Sequence, residues 1–310
     1  CWSTTISPIV QIGAIPVIVD VELNSFNIDP KIIKESISSK TKAIMPVHLL
    51  GRSCNMDVIM KIAKSNKLYV LEDSCEAHGA KYKNRKVGSF GDLSTFSFYV
   101  SHHITTIEGG MICTNSETYF ELAKTLRAHG WIREISNKKK FQTDYPDIDS
   151  RFLFANVGFN FRPTEIQGSF GIHQIKKIEE FIKIRDNNAN YWNSRLQKHS
   201  NYFIIPSKGP NIRNTWFAYP ITLRTNVPFK RKGLIEFLER KGIETRFVMS
   251  GNITAHPMFK LIPSRVSTNL SNADYLSHRS FLIGNHQGIG KQEREYVADC
   301  IDDYISTISK

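Results

Sequence analysis

The stretch that decides the fold is Leu68-Tyr69-Val70-Leu71-Glu72-Asp73-Ser74-Cys75-Glu76. Apolar residues run without alternation into two carboxylates, which predicts a strand over Leu68–Glu72 buried on both faces. Working outward, similar runs occupy Ile15–Val21 and Ala43–His48, with helical spacing over Pro30–Ser38 and Met56–Ala63 between them. This β-α-β-α rhythm predicts an α/β fold with a mostly parallel, doubly wound sheet. Further strands are expected over Ser94–Tyr99 and Met111–Thr114, then a helix over Thr118–Leu126. A long helix is expected from Thr164, where Thr164 and Gln167 have capping-box spacing. Its apolar residues are Ile166, Phe170, Ile175, Ile178 and Ile182. Beyond about residue 185 the texture changes to strand Trp216–Leu223, helix Lys232–Arg240, strand Thr245–Met249 and helix Glu293–Ile308. The expected division is a large domain over 1–184 and a small α+β C-terminal domain over 185–310.

Composition bounds the function. With 310 residues, 41% hydrophobic and 23% charged, the chain can bury a sizeable core. No apolar run approaches the ~20 residues of a membrane span, and the opening CWSTTISPIV lacks a secretory pattern, so a cytoplasmic protein is expected. The chain opens mid-pattern without Met, which predicts that N-terminal residues are missing. Lys and Arg are spread along the sequence rather than gathered in one stripe, so the formal charge of +12 suits a small anionic substrate better than nucleic acid. The five cysteines are scattered and form no CxxC, which predicts reduced thiols and no metal site.

Three segments carry chemistry. Asp73 closes a predicted strand, and ligands of open α/β sheets lie beyond the carboxyl ends of strands. A carboxylate there can hold the protonated ring nitrogen of pyridoxal phosphate; alone, it equally fits a helix cap or a turn. In Phe96-Ser97-Phe98-Tyr99-Val100-Ser101-His102-His103, Ser97 can bind phosphate and a histidine can shuttle protons. The pair Gly109-Gly110 permits close backbone approach to a ligand. In Gly158-Phe159-Asn160-Phe161-Arg162-Pro163-Thr164-Glu165, Asn160 and Arg162 can reach a phosphate or simply cap the helix. Trp2 can stack on a planar ring or pack in the core.

In their order along the chain, these segments resemble the DegT/DnrJ/EryC1/StrS family of sugar aminotransferases. Ile15-Pro16-Val17-Ile18-Val19-Asp20, Phe26-Asn27-Ile28-Asp29-Pro30, Pro46–Gly51 and Leu71–Ala80 carry the likeness. It implies the PLP-dependent transferase fold of aspartate aminotransferase type, fold type I. It further implies a pyridoxal 5'-phosphate or pyridoxamine 5'-phosphate cofactor. Asp73 then partners the ring nitrogen, Ser97 the phosphate and Trp2 the ring face. Glu76 falls where the family usually has glutamine beside the ring hydroxyl. Asn160 is implied to serve the neighbouring subunit's phosphate, hence a homodimer.

One position departs from the pattern. The family's Schiff-base lysine aligns with His102, and an imidazole cannot make that covalent bond but can still move a proton. This resembles the 3-dehydratase branch, as do Ser101–Thr105, Trp216–Thr222, Ser250-Gly251-Asn252 and Gly284-Asn285-His286. The branch implies C3 dehydration of a nucleotide-linked 4-keto-6-deoxyhexose with L-glutamate as co-substrate, with Arg246 and His256 as substrate contacts. Some members carry an iron–sulfur cluster on cysteines downstream of the histidine. No cysteine lies between Cys113 and Cys300 here, so no cluster is expected. A sugar aminotransferase using a surrogate lysine and a non-catalytic partner subunit are the alternative readings.

Overall fold

The computed structural model describes residues 1–308. The acid-ended stretch forms the strand Tyr69–Asp73 inside a four-stranded sheet, in the order Ala43–Ile44, Tyr69–Asp73, Leu93–Ser97, Gly110–Cys113. The first three strands are parallel and the fourth is antiparallel, with Ser97 opposite Gly110. Asp73 pairs in register with Thr95, and a bridge joins it to Val47. Parallel pairing therefore brings three carboxyl-terminal strand ends to one edge of the sheet. The helix Met56–Asn66 covers the sheet through Met56, Ile59 and Ala63, which pack with Ile33, Ile44 and Val70. Asn55 and Asp29 accept backbone N–H bonds at the starts of Met56–Asn66 and Pro30–Ser36, each cap contributing about 1 kcal/mol.

The C-terminal part has its own antiparallel sheet, in the order Thr245–Arg246, Ser280–Gly284, Ala218–Leu223, Phe203–Ile204. Its core gathers Trp192, Tyr219, Phe281, Leu234 and Ile301. The helix Ile178–Leu196 runs unbroken through residues 184 and 185 and supplies part of that core. We propose that the division between the two parts falls within this helix.

The first predicted strand needs correction. Only Val17–Ile18 is extended, and it pairs with Arg265–Val266 rather than with the main sheet. Pro16 lacks an N–H to donate, and Asp20 turns away to accept from the amides of Asn272 and Ala273, which limits the pairing to two residues. A helix, Ser3–Gln11, precedes it where none was anticipated. The capping box of Thr164 and Gln167 is present, but the helix it starts, Glu165–Gln174, gives way to a short 3-10 turn before Ile178. Ile182 is buried, whereas Ile166, Phe170 and Ile175 of the same predicted stripe remain exposed. Among the described residues, no helix is long and apolar enough to cross a membrane.

Candidate active site

Asp73 ends its strand almost buried, and each oxygen has a defined partner. Thr5 Oγ1 donates to Oδ2 at 2.8 Å, and the Cys75 amide donates to Oδ1 at 3.2 Å. Each oxygen keeps acceptor capacity for a further donor. The preceding Glu72 is a structural carboxylate. It lies 2.9 Å from His48 Nε2 and accepts from the amides of Gly88, Phe90 and Gly91, each at 2.7 Å. Burial pushes its pKa up, but His48 and these amides outweigh burial and hold it below the ordinary value. Glu76, half-buried, accepts from the Leu50 amide at 2.8 Å. Burial raises its pKa to about 7, against the opposing Leu50 bond. Near neutral pH it is therefore partly protonated, which makes it resemble the glutamine implied at this place.

The paired histidines enter a cluster of rings. His102 sits in the turn after Leu93–Ser97, its amide donating to the Tyr99 carbonyl at 3.0 Å. Its ring centroid lies 5.2 Å from Phe217 in an edge-on contact and 6.5 Å from His78. His103 is buried beneath, with Nε2 2.9 Å from the Thr215 carbonyl. A carbonyl only accepts, so that nitrogen carries the proton and Nδ1 of His103 is bare. His102 Nδ1 is buried without a partner, which leaves Nε2 as the nitrogen open to a ligand. Burial lowers the pKa of His102; Asp73 opposes this and Arg185 adds to it. Burial, His102 and Arg185 together depress His78 to about 4. The three imidazoles are thus held neutral at neutral pH, and His102 is the one that meets open space.

Other expected residues fall into three groups. Ser97 joins the site: its Oγ accepts from the Tyr99 amide at 3.2 Å, leaving its proton free for an anion. Trp2, 57% exposed as a residue, lies at the head of the helix Ser3–Gln11, three residues before the Thr5 that touches Asp73. His256 is tied to the same mouth, since Nε2 bonds the Ser250 carbonyl at 2.7 Å and Ser250 Oγ donates to the Cys1 carbonyl. Asn160 bridges to Ala128 on an exposed face, where Arg162 Nε reaches its Oδ1 at 3.3 Å. Arg246 is not brought to the cluster; it is exposed and paired with Glu244 at 2.7 Å. The glycine pair serves the loop itself, because a Cβ on Gly109 would lie 2.3 Å from Thr106 Oγ1.

The arrangement fits a substituted pyridine bearing a phosphate. Asp73 pairs with Thr95, and Ser97 follows two residues on, roughly 7 Å along the strand. A carboxylate for a ring nitrogen and a hydroxyl for an anion thus stand a ring's length apart. The chain contains no lysine between Lys86 and Lys124, which spans the whole histidine loop.

Sequence reasoning missed Thr5, His78 and Arg185. Thr5 lies 68 residues from Asp73, so no local pattern links them. His78 stands inside the quoted Leu71–Ala80 segment, yet only the packing of Phe96 and Phe98 around it shows that it joins the loop histidines. Arg185 was one charge in a helix turning polar; the structure buries it.

Comparison with known proteins identifies the family. The model of the DegT/DnrJ/EryC1/StrS aminotransferase family matches residues 1–302. The GDP-4-keto-6-deoxy-D-mannose 3-dehydratase of Escherichia coli O55:H7 is 37% identical over 92% of this chain and 74% of its own length. The dTDP-4-dehydro-2,6-dideoxy-D-glucose 3-dehydratase of Saccharopolyspora spinosa is 36% identical over 99% of this chain and 69% of its own. A crystal structure of a GDP-4-keto-6-deoxymannose 3-dehydratase holding a trapped PLP–glutamate geminal diamine superposes with a TM-score of 0.88 at 34% identity, covering 97% of this chain and 78% of that one. A family match over nearly the whole chain, on a fold shared at this level, makes this protein a member of the DegT/DnrJ/EryC1/StrS aminotransferase family.

Proposed function

We propose that this protein is a pyridoxal-phosphate-dependent 3-dehydratase acting on a nucleotide-linked 4-keto-6-deoxyhexose, with L-glutamate as amino donor. The observation that carries the reading is His102. An imidazole, neutral and open at Nε2, stands at the carboxyl-terminal edge of the sheet beside Asp73, in a loop without lysine. The names of the relatives support the reaction class and the cofactor.

When bound, the cofactor in its amino form supplies a group that condenses with a ketone and a ring that draws electrons away from it. Asp73, oriented by Thr5 and the Cys75 amide, would keep a proton on the ring nitrogen. Ser97 and the backbone beside it would hold the phosphate. His102 moves a proton at Nε2, a role a positioned base performs with a typical gain of about 10²–10⁴-fold. Phe217, edge-on to His102, limits the ring's rotation. Trp2 would cover one face of the ring, and His256 would meet the sugar nucleotide. Arg246, paired with Glu244 at the surface, is the weakest member of the proposed set.

We further propose a homodimer built on the face around Asn160. Phe152, Phe154, Phe159, Phe161, Ile166 and Ile172 are all at least half exposed there. Exposed large apolar side chains concentrated in one stretch of the chain point to an interface. A second copy seated on it would carry Asn160 to the neighbouring phosphate.

The test is product analysis of purified protein with GDP-4-keto-6-deoxymannose, glutamate and cofactor. A 3-deoxy-4-keto sugar with release of ammonia supports the reading. An amino sugar, or no cofactor binding at all, overturns it.

A further inference from the structure

Arg185 has an unusual environment. It is 3% exposed, on the helix Ile178–Leu196, yet no carboxylate pairs with it among the described residues. Its guanidinium donates instead to backbone carbonyls: Trp216 at 3.2 Å, Phe217 at 2.9 Å, and Asn285 through a short bond. Nη2 also reaches Gln287 Oε1 at 3.4 Å, and Asn285 Nδ2 returns a bond to the Arg185 carbonyl at 3.1 Å. The neighbouring Asp186 is engaged elsewhere, by Trp216 Nε1 at 3.0 Å and Lys208 at 2.7 Å. A buried guanidinium without a counter-ion is costly, so its contacts must organise something.

They organise the strap Thr215–Trp216–Phe217, each residue of which touches the site or its frame. The Thr215 carbonyl takes the proton of His103 Nε2, and the Phe217 ring abuts both His102 and His103. Trp216 between them adopts φ +49°, a left-handed conformation that a bulky residue holds only when its surroundings impose it. The amides of Thr215 and Phe217 are fixed from the other side by the carbonyls of Gly51 and Leu50. Leu50 in turn donates to Glu76. A Cβ on Gly51 would lie 2.6 Å from Thr215 Oγ1, so the strap can approach this closely only because residue 51 is glycine.

We propose that Arg185 is a positioning residue of this site: it pins the Thr215–Phe217 strap against the histidine pair, and it holds a guanidinium without a carboxylate partner on the backbone of Phe217, whose ring abuts His102. The charged and titratable groups facing His102 are Asp73, which favours its protonated form, and Arg185, His78, His103 and Tyr99. Arg185 depresses His78, His103 and His286 in the same direction. Burial lowers the pKa of Arg185 itself only to about 10, so the charge persists at neutral pH.

The kinetic part rests on the dehydratase reading; the titration part does not. The variants are Arg185→Gln, which removes the charge, and Arg185→Lys, which keeps the charge on a single ammonium in place of a planar guanidinium whose Nη1 meets the three carbonyls while Nη2 reaches Gln287. In cofactor-free protein, the NMR titration midpoint of His102 should move to higher pH in the Gln variant and stay near wild type in the Lys variant. In loaded enzyme, kcat should fall about 10–100-fold in both, with KM for the sugar nucleotide changed by less than about threefold, as expected for misplacement of a reacting group. The acidic limb of the pH–rate profile should move to higher pH in the Gln variant alone. A folded Gln variant with an unmoved His102 midpoint overturns the electrostatic role. A Lys variant with wild-type kcat overturns the positioning role. If the Gln variant fails to fold, Phe217→Leu decides the positioning role, because it spares every Arg185 contact: kcat should fall, and an unchanged kcat refutes the strap. The Lys variant then decides the electrostatic role, since a displaced His102 midpoint despite the retained charge refutes it. Absence of dehydration by wild type would sink the function while leaving the titration result standing.

Discussion

Replacing Glu76 by glutamine tests the electrostatics at this edge of the sheet. The two side chains are nearly isosteric, and a Gln Oε1 can still accept from the Leu50 amide. Only the charge is lost. Burial raises the folded pKa from 4.5 to about 7, a difference of about 2.5, or roughly 3 kcal/mol at most. The sign follows from which state releases its proton first. Below pH 4.5 the carboxyl is protonated in both states and the two proteins should be equally stable. Between pH 4.5 and 7 the unfolded chain ionises while the folded one resists, so wild type loses stability relative to the variant. Above pH 7 the gap is constant, and the variant should be the more stable. Urea unfolding at pH 4, 5.5 and 8 measures this as a midpoint difference that opens with pH. Equal midpoints at pH 8 would refute the reasoning, because the site would then accept the carboxylate as an ion. A gap already present at pH 4 would assign the effect to the amide's contacts instead.

Three further outcomes are expected. His102→Lys should hold pyridoxal phosphate covalently after borohydride treatment, with visible absorbance and reduced dehydration, whereas wild type should release its cofactor on denaturation; covalent cofactor in wild type would transfer the role to another lysine. Mixing an Asn160→Ala subunit with an Asp73→Ala subunit should recover part of the activity through hybrid sites, and no recovery despite verified subunit exchange would count against sites shared across a dimer. Metal analysis of anaerobically purified protein should find no stoichiometric iron or sulfide; two irons per chain would contradict the inference drawn from the cysteine-free span Cys113 to Cys300.

What the sequence determined by itself was local. The apolar run into Asp73 and the capping box at Thr164 are contiguous or short-range features, and each stands where it was read. The parallel sheet followed from the alternation of runs, because strand and helix periods differ. The tertiary structure alone decided which distant groups meet. Ile15–Val21 read as an interior strand, but its partner is Arg265–Val266, and nothing local marks a pairing across such a separation. The exposed stripe at Ile166 and Phe170 has the periodicity of a buried face, since hydrophobic spacing alone does not decide whether the fold covers that face. Thr5 on Asp73, His78 beside His102, and Arg185 across the strap are contacts of side chains far apart in sequence. Their energetics depend on burial, and burial is a property of the closed fold: a lone arginine in a polar helix becomes a site residue only once the strap and the Asn285 turn close over it.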